Sequence, residues 1–133
     1  MVDLEVVVQN KNNMGLDIWF SKTSNQELGS FRKVNFLVKY FSKLGLDVEN
    51  QTPLKVHEDD IIELLDRCNQ VLEDHTKAKD LLPTMNGFFF GSIEYDDNYF
   101  EDVKKVKEFL ETSLIPEFKD LSLNESIDFV IWY

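Results

Sequence analysis

Six aromatic side chains fall within residues 87–100, which read Gly-Phe-Phe-Phe-Gly-Ser-Ile-Glu-Tyr-Asp-Asp-Asn-Tyr-Phe. Rings at this density serve as core, or as a contact surface for a partner or a planar ligand. Were 88–90 a strand, alternation would send Phe89 to one face and Phe88 and Phe90 to the other. One covered face would then leave one set exposed, while two covered faces would bury all three. Gly87 and Gly91 permit sharp turns on either side, which both readings need.

Carboxylates come in two blocks. Residues 58–66 hold Glu58, Asp59, Asp60, Glu63 and Asp66; residues 94–102 hold Glu94, Asp96, Asp97, Glu101 and Asp102; neither block contains a basic residue. Acids at a helix start are favoured by the helix dipole, so capping and a solvated face account for both blocks without a function. A surface for a basic protein, including imitation of a nucleic-acid phosphate pattern, uses the same residues. The spacing lacks the glycine and distal glutamate of an EF-hand loop, and no metal is expected.

Other chemistry is thinly supplied. The single cysteine, Cys68, lies on an apolar helical stripe and reads as a buried thiol rather than a nucleophile. His57 and His75 are about 27 Å apart if one helix joins them, too far to share a metal or act as a pair. There is no phosphate-cradling loop, dinucleotide fingerprint, nucleophile elbow or zinc-protease motif, so no catalytic residue and no cofactor is assigned and an enzyme is the lesser reading.

The elements that position these residues follow from periodicity. Leu4, Val6 and Val8 alternate within residues 3–8, and Leu16, Ile18 and Phe20 alternate after a polar stretch ending at Gly15, which predicts a β-hairpin. Phe31, Val34, Leu37, Val38, Phe41 and Leu44 recur at helical spacing up to Gly45. Leu54-Lys55-Val56 is a short extended piece. Ile61, Leu64, Leu65, Cys68, Val71 and Leu72 mark a second helix, and a shorter one is expected over 76–82, stopping at Pro83. A third helix starts near Asp96 or Asp97 as N-cap and runs through Phe100, Val103, Val106, Phe109 and Leu110 towards Leu114, before Pro116. Residues 127–133 alternate as a terminal strand. The expected fold is one α+β domain over residues 1–133, of order β-β-α-β-α-α-β, with a mainly antiparallel sheet and helices on one face.

At 133 residues, 43% hydrophobic and 29% charged, the chain has ordinary globular proportions. Its net charge of −11 is unevenly placed: residues 1–45 carry 6 basic and 4 acidic side chains, residues 46–133 carry 8 and 21. That balance disfavours direct nucleic-acid binding and docking on anionic membranes. With no basic stretch followed by an apolar run at the start and a lone cysteine, a cytoplasmic location is the expectation.

The run Leu81-Leu-Pro-Thr-Met-Asn-Gly-Phe-Phe-Phe-Gly-Ser-Ile-Glu-Tyr-Asp-Asp-Asn-Tyr99 resembles a signature of small uncharacterised bacterial and bacteriophage proteins. Leu64-Leu-Asp-Arg-Cys68 looks like the helix that leads into it, and Phe31-Arg-Lys-Val-Asn35 like the family's first helix start, so the resemblance covers roughly residues 17–111. Where family members carry histidine and tryptophan in that helix, this chain has Val38 and Tyr40. The resemblance implies a phage or prophage accessory protein acting in the host cytoplasm, a context in which many proteins bind and disable host machinery; combined with the acidic residues 46–133, it points to a surface for a basic host protein that handles nucleic acid or defence. The expected contact residues are Phe89, Glu94, Tyr95, Asp96, Asp97, Tyr99 and Glu101. The alternative is a small-ligand or nucleotide module in which Phe89, Tyr95 and Tyr99 stack on the ligand while Arg32, Lys33 and Asn35 hold its polar groups. A homodimer joined at an edge strand is a third possibility.

Overall fold

In the computed structural model the described residues are 15–23, 26–46, 48–87 and 89–133. The strand expected over 3–8 lies outside them. Strand β1 is Asp17–Lys22, β2 is Gln26–Arg32, helix α1 is Asn35–Lys43, β3 is Leu54–Val56 and α2 is Glu58–Glu73. A 3-10 turn, His75–Lys77, leads into the short α3, Ala78–Leu81. After a long loop come α4, Asp97–Phe109, a π-helical turn, Leu110–Leu114, and α5, Ile115–Lys119; β4, Ile127–Trp132, completes the sheet. All pairings are antiparallel and the strand order is β2-β1-β4-β3. The α+β class and the approximate element order match the sequence reading.

The hairpin is formed by different residues from those expected. β1 pairs with β2, with Ile18 opposite Phe31 and Phe20 opposite Gly29. Phe31 and Val34 are spaced as on a helix, yet Phe31 belongs to the strand and its ring packs on Phe109 at 5.4 Å between centroids. Lys33, at φ 59°, turns the chain between the two elements, so α1 begins only at Asn35.

Ile18 and Phe20 of β1, with Ile127, Phe129 and Ile131 of β4, face the helices and form the main core with Phe41, Leu64, Cys68, Val103 and Leu110. Phe41 is its centre, 4.4 Å from Phe129 and 6.3 Å from Phe20 between ring centroids. The opposite sheet face is not bare: Trp19 and Val130, directly paired across the strands, are 7% and 6% exposed and form a second cluster with Trp132. Val130, which alternation would send outward, is therefore buried as well.

The last helical run does not stop before Pro116. Proline has no N–H to offer the carbonyl four residues earlier and its ring crowds that carbonyl. The π register of Leu110–Leu114 widens the preceding turn and carries the helix on to Lys119.

Candidate functional site

Asn35 organises the region around the aromatic loop. It is 3% exposed, at the first turn of α1. Its Nδ2 donates to the carbonyls of Phe90 and Ser92, both at 3.0 Å, and its Oδ1 accepts from the Met85 N–H at 2.9 Å. One side chain thus clamps both legs of the loop. Thr84 closes it further: its hydroxyl donates to the Ile93 carbonyl at 3.0 Å, and its N–H donates to the Tyr95 hydroxyl at 3.1 Å. Leu16, entering β1, donates its N–H to the Phe89 carbonyl at 2.9 Å. Gly91 sits at φ +89°, with a Cβ position only 3.0 Å from the Lys33 side chain, so a side chain there would be strained and crowded.

The rings are mostly committed to the interior. Phe90 is 6% exposed and meets Tyr133 edge-on. Tyr99 is 5% exposed, donates its hydroxyl to the Leu82 carbonyl at 2.7 Å, and is enclosed by Phe36, Tyr95 and Phe100. Burial pushes its phenol upward. Phe89 and Tyr95 are half-buried. Tyr99 is consequently not a face on which a ligand could stack, and Asn35 has its amide occupied by the loop rather than presented to a ligand.

A cleft of about 140 Å³ opens between the β2–α1 turn, the loop and the start of α4. Arg32, Lys33 and Asn35 lie on one side; Thr84, Gly91 and Ser92 form its loop wall; Glu94, Asp96, Asn98, Tyr99 and Asp102 close it. Six of the ten nominated residues therefore share one cleft, although some 60 positions separate the two groups in sequence. Arg32 reaches the Asp17 carboxylate at 3.2 Å, an acid whose burial raises its pKa against the lowering effect of that guanidinium.

Asp96 is the N-cap of α4, its carboxylate accepting from the Tyr99 N–H at 3.1 Å, as the sequence had allowed. Glu94, Asp96, Asp97 and Glu101 are exposed, and Asp102 is half-buried in the cleft wall. Among the described residues none of these five carboxylates makes an ion pair; the acidic partners of the pairs present are Asp17, Glu63, Glu111, Glu117 and Glu125. Asp102 registers the crowding: burial raises its pKa first, Lys105 lowers it, and Asp96 and Glu101 raise it further.

The first acidic block is placed elsewhere. The His75 ring stacks on Phe100 at 3.7 Å, so the end of α2 meets the start of α4 and the two helices run antiparallel. Residues 58–66 thus lie along the part of α2 away from that contact, with Glu58 about 22 Å and Asp66 about 10 Å from Glu73 along the helix. There Glu63 is paired with Arg67 at 3.1 Å and Asp66 accepts from Gln70 at 2.7 Å.

Protein-family models, curated proteins and solved structures contain no match to this chain. The chemistry of the cleft and its rim therefore speaks for itself. Among the described residues no three His, Cys, Asp or Glu side chains gather closely enough to hold a metal, and no helix is long and apolar enough to cross a membrane. Burial pushes the Cys68 thiol up to about 12, far from the thiolate a nucleophile requires. Sequence reasoning names none of Thr84, Ser92 and Asn98 as a contact, and Asp102 only as a member of the acidic block. The only local signals were Thr84 within Leu-Leu-Pro-Thr and the place of Asp102 in the acidic block.

Proposed function

We propose that this protein is an interaction module that presents to a basic partner protein the carboxylates lining the cleft, Glu94, Asp96 and Asp102, together with Asp97 and Glu101 of the adjoining helix start. The observation that supports the reading is that these five acids crowd one helix start and its preceding loop without an ion pair among the described residues, on a loop held by Asn35. A partner's lysines and arginines would relieve that repulsion and be steered in by the field. A nucleic-acid-handling protein of a host cell, whose phosphate-binding surface is basic, suits such a rim, in keeping with the phage-associated context that the sequence resemblance implies. The aromatic half of the expected contact surface is reduced to the half-buried Phe89 and Tyr95, so charge carries the proposal. No observation favours a stacked planar ligand.

The test is affinity capture from a host lysate at low and high salt, with the Asp96→Lys/Asp97→Lys/Glu101→Lys variant in parallel. A partner that binds the wild type, falls away at high salt and ignores the variant is expected. A partner retained equally by the variant would sink the proposal.

A further inference from the structure

A second surface lies at the outer edge of β2. Among the described residues β2 pairs only with β1, which makes it the outermost strand on that side of the sheet. The Lys33 N–H points inward to the Leu16 carbonyl, so by the alternation of an antiparallel ladder the N–H and C=O of Ser30 point away from β1. Ser30 is exposed. The edge is not buried by its own helices, yet it is firmly supported: a Cβ at Gly29 would stand 2.4 Å from the Phe109 ring, so the strand lies directly on the end of α4.

Beside the other half of the strand, where the register shifts between Phe20 and Ser21, runs an open groove of about 310 Å³. Leu28, Glu27, Thr112, Pro116, Glu117 and Asp120 are among its lining residues. Its far wall is the π-helical turn that Pro116 imposes, a kind of helix defect common at functional sites. The groove is acidic. Glu117 shares Lys22 with Glu125, at 3.0 and 3.7 Å, while Glu27 and Asp120 make no ion pair among the described residues.

We infer that β2 and this groove form a docking edge for an extended, lysine- or arginine-bearing segment of a partner, which adds to the sheet as a further strand. Backbone pairing would begin at Ser30, an apolar side chain would sit against Leu28, and basic side chains would meet Glu27 and Asp120. Glu27 and Asp120, without an ion pair among the described residues, are complementary to such a basic segment; a second copy, whose antiparallel β2 would set Arg32 and Lys33 near Glu27, is the competing occupant that the peptide-free control tests. The site is separate from the rim of residues 94–102 and does not depend on it.

The probes are two capped eight-residue peptides of equal charge, one alternating lysine and valine, the other lysine and proline; the second cannot form a strand ladder. Amide hydrogen exchange is read on the full chain. The lysine–valine peptide should slow exchange at Ser30 at least tenfold, and the lysine–proline peptide should not. Ser30→Pro, which removes an outward N–H without breaking a bond to β1, should weaken binding of the lysine–valine peptide at least tenfold in a titration. Glu27→Lys with Asp120→Lys should weaken binding at least tenfold and serves if the proline variant does not fold. Three results would overturn the inference: equal binding of both peptides, protection confined to residues 94–102, or concentration-dependent protection of Ser30 without peptide. The second of these would leave the acidic-rim proposal standing.

Discussion

Replacing Asn35 by alanine removes three hydrogen bonds that hold the loop, at 3.0, 3.0 and 2.9 Å, and leaves the Phe90 carbonyl, the Ser92 carbonyl and the Met85 N–H without partners. An unsatisfied buried polar group costs about 1–3 kcal/mol. Ser92 is exposed and Met85 half-exposed, so water can repair part of the loss there, whereas Phe90 is buried. We expect Asn35→Ala to destabilise the protein by about 2–4 kcal/mol, a large share of the total for a domain of this size. Urea unfolding measures the loss, and amide exchange at Met85 shows whether the loop has opened. Asn35→Asp sharpens the test. Its carboxylate can accept from Met85 but faces two carbonyl oxygens, so its folded pKa should lie above the ordinary carboxylate value. A raised acid contributes most stability below the unfolded pKa and loses it as pH rises through the folded pKa. The aspartate variant should therefore be less stable than the alanine variant at pH 7 and approach or pass it towards pH 4. A loss below about 0.5 kcal/mol with Met85 still protected would refute the assignment of Asn35 as the clamp.

Other outcomes follow from the same geometry. Cys68, fully buried with its thiol pushed up to about 12, should react with a disulfide reagent at pH 8 no faster than the protein unfolds; prompt labelling of the native state would contradict its placement. Gly29→Ala should cost about 1–3 kcal/mol because its methyl would meet Phe109, and Gly29→Ala combined with Phe109→Leu should recover part of that in thermal melts. The Asp102 carboxyl should titrate above 3.8 by NMR and fall towards that value in Asp96→Asn, since Asp96 is one of the charges raising it. With a raised folded pKa, ionising Asp102 costs stability as pH rises, so Asp102→Asn should be more stable than the wild type at pH 7. A midpoint at or below 3.8 would remove the evidence of crowding.

Helix α2 was legible because Ile61, Leu64, Cys68 and Val71 repeat on one stripe, and all four are buried. The N-cap at Asp96 was legible from local chemistry alone, as was the short strand Leu54–Val56. β2 was not, because Phe31 and Val34 match a helical spacing, and only the turn at Lys33 and the contact of Phe31 with Phe109 decide between strand and helix. Pro116 reads as a stop in the sequence, whereas a wider turn absorbs it in the fold. The candidate site was partly legible: the acids and the Arg32-Lys33 pair were visible as residue types, but their meeting in one cleft depends on long-range packing. Asn35 had a signal, a lone amide within Val-Asn-Phe-Leu-Val, although its partners 50 to 57 positions away had none.

The central claim is that the rim of residues 94–102 is a specific acidic surface rather than one part of a generally acidic coat. NMR shift mapping with a ten-residue oligolysine probe at low salt tests it directly, because the block at 58–66 carries the same number of carboxylates on the first half of α2, away from the contact of His75 with Phe100. Perturbations should concentrate at Glu94, Asp96, Asp97, Glu101 and Asp102 and at the facing cleft residues Ser92 and Lys33, with little change at 58–66. Equal perturbation of both blocks would contradict the account.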